Sequence, residues 1–270
     1  MIGPGVVGTG IGGTEVVGPG AQGEAKTTPI ISLEDATFAA QGKVIVQGVT
    51  IPFEEGKTTA LVGPSGGGKS TVLKLAAGLI VPTDGVVRFR GSDISLMTRA
   101  KTLAFRKESA FVFQDSALWA NQNLRQILEL PLKTHFPDMG KKELDARVAE
   151  VLSLVGYRKD VDIRPSQLSM GEQKLIAFAR ALVCKPRLLF LDEWTESLDD
   201  TAGRRLVALV KRKQAEGTTV IYVSHNLGII RDTAHRICMI VDGRLSLSVT
   251  AEEFANNGNL SKTIEKGIAL

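Results

Sequence analysis

Cysteine is scarce in this chain: among 270 residues only Cys184 and Cys238 carry a thiol, far apart and each inside an apolar stretch. That spacing argues against a disulfide or a metal pair, and two reduced core thiols are expected. The three histidines do not cluster with them, and aromatic residues make up only 5%. No apolar run reaches the roughly 18 residues needed to span a bilayer, because charge soon interrupts each one. No basic segment followed by an apolar stretch opens the chain, so no secretory signal is expected. Charge of one sign is not in large excess either. The net +4 is interspersed, without a block of Lys and Arg, and does not choose among nucleic acid, membrane surface and nucleotide. What is present is 43% hydrophobic residues, ample for a buried core in one large domain or two small ones. The expectation is a chain soluble on its own that reaches any membrane through a partner.

Residues 1–28 are glycine-dominated and without apolar period, which reads as a disordered arm, although VVG occurs twice, at Val6–Gly8 and Val16–Gly18. From Pro29 onward the pattern becomes regular. Ile30–Phe38 and Val44–Phe53 read as strands, and Thr59–Val62 as a short strand entering a glycine-rich turn and a helix over Ser70–Leu79. Ser109–Phe113 reads as a further strand. Leu144, Val148, Val151, Leu152 and Val155 mark one face of a helix, so residues 116–168 are expected to form a helical insertion. Leu188–Leu191 and Val220–Val223 are apolar runs of the kind buried on both faces of a parallel sheet. Helices are expected at Gly171–Val183 and Ala202–Ala215, a hairpin turning at Asp242-Gly243, and one helix in the tail, 249–270. Strands alternating with helices predict a doubly wound α/β core.

The segment Gly63-Pro64-Ser65-Gly66-Gly67-Gly68-Lys69-Ser70 satisfies G-x-x-x-x-G-K-[ST]. Glycines let backbone amides curl around phosphate oxygens, and the following helix adds its positive end. Amides of Gly63, Ser65, Gly66, Gly67, Gly68 and Thr71 are candidate phosphate contacts. Lys69 would bridge the β- and γ-phosphates, and the Ser70 hydroxyl would hold Mg²⁺. More than a hundred residues later an apolar strand ends in Asp192 and Glu193, at the sheet edge where open α/β folds bind ligands. There Asp192 would join the Mg²⁺ shell and Glu193 would polarise the attacking water.

Leu168-Ser169-Met170-Gly171-Glu172-Gln173 lies between these motifs and is similar to LSGGQ, so the chain from about residue 30 to 248 resembles the ATP-binding cassette (ABC) family. Independently, Ser169 followed by Glu172 reads as a capping box opening a helix. The resemblance implies a P-loop NTPase (RecA-like) core over 29–248, with an antiparallel β-subdomain and the helical insertion. It implies ATP hydrolysis with Mg²⁺ in a head-to-tail dimer, a homodimer by expectation. Lys69, Ser70, Gln114, Asp192, Glu193 and His225 would come from one copy, and Ser169, Gly171 and Asp199 from the other. Gln114 would sense Mg²⁺ and water, and His225 would contact the γ-phosphate. His135 and His235 match nothing and are read as structural. The implied partner is a polytopic permease at the inner face of a cell membrane, bacterial by expectation, with no nucleic acid.

Four departures stand out: Met170 and Glu172 in the signature, Trp194 where Pro is usual and Glu196 where Ser is frequent. They keep open an alternative, a catalytically weak or regulatory ABC-type ATPase. Ala40 stands where an adenine-stacking ring is expected, and Phe38, two residues earlier on the strand, is the candidate substitute. Ala117-Leu118-Trp119, Leu130-Pro131-Leu132, Pro165–Leu168 and Thr250–Phe254 are similar to lipid-importer (Mla/Mce-type) ATPases, which leans the cargo toward lipid.

Overall fold

The computed structural model describes residues 29–269. The glycine-rich arm 1–28, with its paired VVG, and Leu270 lie outside the described residues. A four-stranded antiparallel sheet has the order β2-β1-β4-β5, from β1 (Ile31–Ala40), β2 (Lys43–Phe53), β4 (Asp84–Phe89) and β5 (Ser92–Asp93). A six-stranded sheet has the order β10-β9-β3-β8-β7-β6, from β3 (Thr58–Val62), β6 (Ser109–Val112), β7 (Leu188–Asp192), β8 (Thr219–Val223), β9 (Arg236–Val241) and β10 (Arg244–Thr250). Its strands pair in parallel except β10, which folds back on β9. This is the expected α/β architecture of an antiparallel sheet beside a mostly parallel one.

β3, β7 and β8 are buried at every position, which is why Leu188–Leu191 and Val220–Val223 read as apolar runs. Two core clusters result. One joins the antiparallel sheet and α1 (Lys69–Ala76) to one face of the parallel sheet, through Phe53, Leu73 and Phe190. The other joins the opposite face to α3 (Leu124–His135), α4 (Lys141–Val155) and α5 (Met170–Leu182), through Ile127, Val151 and Phe178. Residues 116–168 thus contain α3 and α4, and a single 3-10 turn at Pro165–Gln167.

Several expectations need correction. The helix expected over Ser70–Leu79 stops at Ala76, because Gly78 adopts φ +58° and Arg106 donates to Ala77 O at 2.8 Å and Gly78 O at 2.6 Å. β4, which the sequence reading did not assign, opens at Asp84-Gly85: a Cβ on Gly85 would sit 2.2 Å from Asp35 O, so the glycine permits a close strand crossing. α2 (Arg99–Glu108) buries only Phe105 and gives no apolar stripe to read. The tail forms two helices, α8 (Ala251–Asn256) and α9 (Gly258–Ala269), divided at Asn257, whose side chain accepts from Asn259 N at 3.1 Å. α6 (Asp200–Ala215) and α7 (Leu227–Thr233) complete the chain. Among the described residues no helix is long and apolar enough to cross a membrane.

Candidate active site

The phosphate loop runs between β3 and α1 and is walled by backbone from remote parts of the chain. Gly63 has φ +135°, and a Cβ there would lie 2.0 Å from Ile240 O. Gly67 O accepts from Gly243 N at 3.0 Å, so the β9–β10 turn braces the loop from behind. Gly68, the residue before α1, has φ +98° and offers no side-chain cap. The first amides of α1 therefore face the cleft unused by the chain's own side chains, a site suited to phosphate.

Along the cleft stand Ser65, Gly66, Gly68, Lys69, Ser70 and Thr71, joined by Ile45, Gln114, Glu193, Glu196 and His225, around about 320 Å³ of space. Lys69 Nζ donates to Gly63 O at 2.9 Å and Pro64 O at 2.7 Å; burial lowers its pKa while Glu193 and Asp192 oppose the drop. Ser70 Oγ donates to Asp192 Oδ1 at 2.7 Å. Burial raises the Asp192 pKa, against the Ser70 hydroxyl and nearby lysines. A hydroxyl and a buried carboxylate this close are the hard-oxygen donors that Mg²⁺ selects, so the residues fit a Mg²⁺-nucleotide.

Glu193 ends β7 at φ +41°, a left-handed conformation costly for a non-glycine residue and held here by buried surroundings. Its carboxyl is pushed up to about 7, chiefly by burial and then by the neighbouring Glu196. Glu193 Oε1 lies 2.9 Å from His225 Nε2. Burial and Lys69 lower the His225 pKa, so the pair meets as a hydrogen bond near neutral pH. Gln114 Nε2 donates to Glu196 Oε2 at 3.1 Å across the cleft mouth. Lys69, Ser70, Asp192, Glu193, Gln114 and His225 are thus gathered in one place.

The signature segment lies elsewhere on the surface. Ser169 and Met170 are exposed at the start of α5, and Ser169 forms the expected capping box with Glu172. The Ser169 hydroxyl donates to Glu172 Oε2 at 3.1 Å, and Glu172 Oε1 pairs with Lys159 Nζ at 2.5 Å. Gly171 passes close to the loop after β7, where a Cβ would stand 3.0 Å from Ser197 O. Asp199 is exposed and caps α6 through Ala202 N at 2.8 Å.

Trp194 is fully buried, its ring 5.7 Å from Phe178 and 6.2 Å from Tyr222, so this departure packs in the core behind Glu193. Phe38 does not line the cleft. Strand β1 is irregular on both sides of Phe38, which breaks the alternation linking it to Ala40, and Ile45 of β2 forms that wall. His235 is structural as expected, its Nδ1 accepting from Thr58 N at 3.1 Å. Cys184 and Cys238 are free thiols, and burial pushes Cys184 up to about 11. Sequence reasoning missed Ile45, the approach of Glu196 to Glu193, and Lys174. A lysine on the buried face of α5, aligned with Ala177, Phe178 and Ala181, was the available signal.

Comparison with known proteins matches residues 46–196 to the ABC transporter family. The chain is 32% identical to the nickel import ATP-binding protein NikE of Escherichia coli (strain K12), over 84% of this chain and 87% of that protein. It is 35% identical to NikE of Shigella flexneri serotype 5b (strain 8401), over 76% and 78%. Among solved structures, the dimeric post-hydrolysis state of the ATP-binding cassette MJ0796, bound to ADP and Pi, aligns with TM-score 0.76 at 28% identity. That alignment covers 82% of this chain and 98% of the other. CbiO1 of Clostridium perfringens, part of the ABC transporter complex cbiONQ, shares the fold with TM-score 0.71 at 24% identity, over 89% and 96%. The two NikE proteins are named for nickel import, and the lean toward lipid gains no support from these comparisons. The chain belongs to the ABC transporter family, as an ATP-binding subunit.

Proposed function

We propose that this chain is the ATP-hydrolysing motor of a membrane transport system, working as a head-to-tail pair of copies at the inner face of the membrane. One observation carries the reading: the buried Glu193 carboxylate sits 2.9 Å from His225, in the cleft that also holds the Ser70–Asp192 pair and Lys69. Amides of the loop and α1 would bind the phosphates, and Lys69 would neutralise the terminal ones. Mg²⁺, held by Ser70, Asp192 and Gln114, would supply charge compensation on the phosphate oxygens. Glu193, with a pKa about 7, would accept a proton from water, and His225 would orient its carboxylate. Ile45, which lines the cleft beside Gly68, would be the candidate apolar neighbour of the base in place of Phe38.

Ser169, Gly171 and Asp199 are exposed or near the surface, as residues contributed to a second copy must be. A groove beside the Gln114 loop, lined by Phe111, Phe113, Trp119 and His135, is the surface we assign to the permease, and its Trp119 is 44% exposed. Cargo meets the permease rather than the motor, so likeness among motors does not specify it. The regulatory alternative loses ground because Glu172 is paired with Lys159 and Trp194 lies in the core.

The test is ATP hydrolysis by the purified chain with Mg²⁺, beside Glu193→Gln. The wild type should turn over, and the variant should lose at least about 100-fold and elute as an ATP-dependent dimer. A wild type without turnover, or a variant as fast as wild type, would reject this function.

A further inference from the structure

Lys174 lies in the second turn of α5, the helix that begins at the signature, and is only 2% exposed. A buried ammonium is costly unless its protons are used. Here Nζ donates to Phe113 O at 3.2 Å and to Gln114 O, while Glu196, Asp115, Asp192 and Glu193 surround the charge. Two turns later Arg180 donates to Ser116 O at 3.1 Å and Ala117 O at 2.6 Å. Four carbonyls of the 113–117 loop therefore accept from side chains of one helix. Ser116 and Ala117 both stand at positive φ, 64° and 44°, so the loop is held in a shape it would not adopt alone. The Gln114 side chain, left free of these ties, reaches Glu196 at the cleft mouth.

We propose that Lys174 is a positioning residue for hydrolysis: its ammonium ties α5 to the carbonyls of Phe113 and Gln114, so Gln114 is set in the cleft by the signature helix. The inference rests on Gln114 belonging to the hydrolytic site. A push on the exposed start of α5, as a second copy would give, then reaches Gln114 without slack. The same loop separates the cleft from the apolar groove carrying Trp119, so its placement bears on both.

A double-mutant cycle on the full chain tests this. Lys174→Met keeps length and apolar bulk, and Lys174→Gln keeps an N–H donor; each is made in the wild-type and Gln114→Ala backgrounds. We measure kcat and KM for Mg²⁺-ATP, affinity for trinitrophenyl-ATP without Mg²⁺, and the thermal midpoint. Lys174→Met should lower kcat about tenfold, with KM and analogue affinity held within about twofold. Lys174→Gln should recover part of the loss. In the Gln114→Ala background, either Lys174 substitution should cost less than about twofold. An equal kcat loss in both backgrounds, or a loss matched by weaker analogue binding, would overturn the inference. If Lys174→Met fails to fold, Lys174→Gln carries the same cycle. A wild type with no hydrolysis would instead reject the function on which the inference rests.

Discussion

Two helix starts face two different needs in this molecule. α1 begins after Gly68, which has no side chain to offer its amides, and it is enclosed by backbone from Ile45, Ile240 and Gly243. α5 begins after Ser169, exposed, with Ser169 and Glu172 satisfying one another's amides. Both present the same unpaired N–H groups in principle. The first is held open by its walls and is ready for an anion within one chain. The second is already capped, and its exposed face needs another molecule to complete it. An uncapped helix start is affordable where surrounding backbone fixes it, whereas an exposed one must stabilise itself.

The sharpest way to break this comparison is at the walled end. Lys69→Ala should weaken binding of trinitrophenyl-ATP by at least about 100-fold while leaving the fold intact by circular dichroism. Unchanged affinity would mean that amides alone hold the phosphates.

The next effect concerns the cost of burying Glu193. The folded chain keeps this proton up to about pH 7, whereas the unfolded chain releases it near 4.5. Between those values the folded state binds more protons, so stability should fall as pH rises and the loss should be complete above about 7. Glu193→Gln removes that slope. Its stability advantage over wild type should grow by on the order of 2 kcal/mol between pH 5 and 8 in urea titrations. A constant difference would show that Glu193 ionises normally in the fold.

At the self-capped end the expected changes are smaller. Ser169→Ala should cost about 1 kcal/mol of stability through the lost cap, slow hydrolysis, and leave analogue binding by the single chain unchanged. A parallel loss of binding would merge the two helix starts into one site. Smallest of all, Glu172→Gln preserves the cap and removes only an exposed ion pair with Lys159, so turnover should stay within about twofold. A tenfold rise would show that this carboxylate restrains hydrolysis after all.

Much of this was legible because backbone chemistry leaves marks in composition. The loop's glycines, the capping pair Ser169 and Glu172, and the apolar runs within β7 and β8 are each dictated by local needs, and each was readable. What escaped depends on neighbours distant in sequence. The need for glycine at position 85 shows only when Asp35 O is found against it. Trp194 reads as a departure in the active site until Phe178 and Tyr222 are seen to enclose it. Ile45 is an ordinary strand residue, and only the crossing of β2 over the loop brings it to the cleft. Gln114 and Glu196 are 82 positions apart, and no local pattern links them.

The bracing of the phosphate loop by the β9–β10 turn bears on how the protein is made. β3 pairs with β8 and β9, and the loop's rear wall is Ile240 and Gly243, all far downstream of Lys69. During synthesis a ribosome-held chain ending before residue 243 contains the whole nucleotide motif yet lacks the strands that flank it and the turn that supports it. Nucleotide capture therefore cannot guide early folding. It becomes available only once β8, β9 and the turn at Gly243 have emerged, and a product terminated before them retains the motif without the pocket.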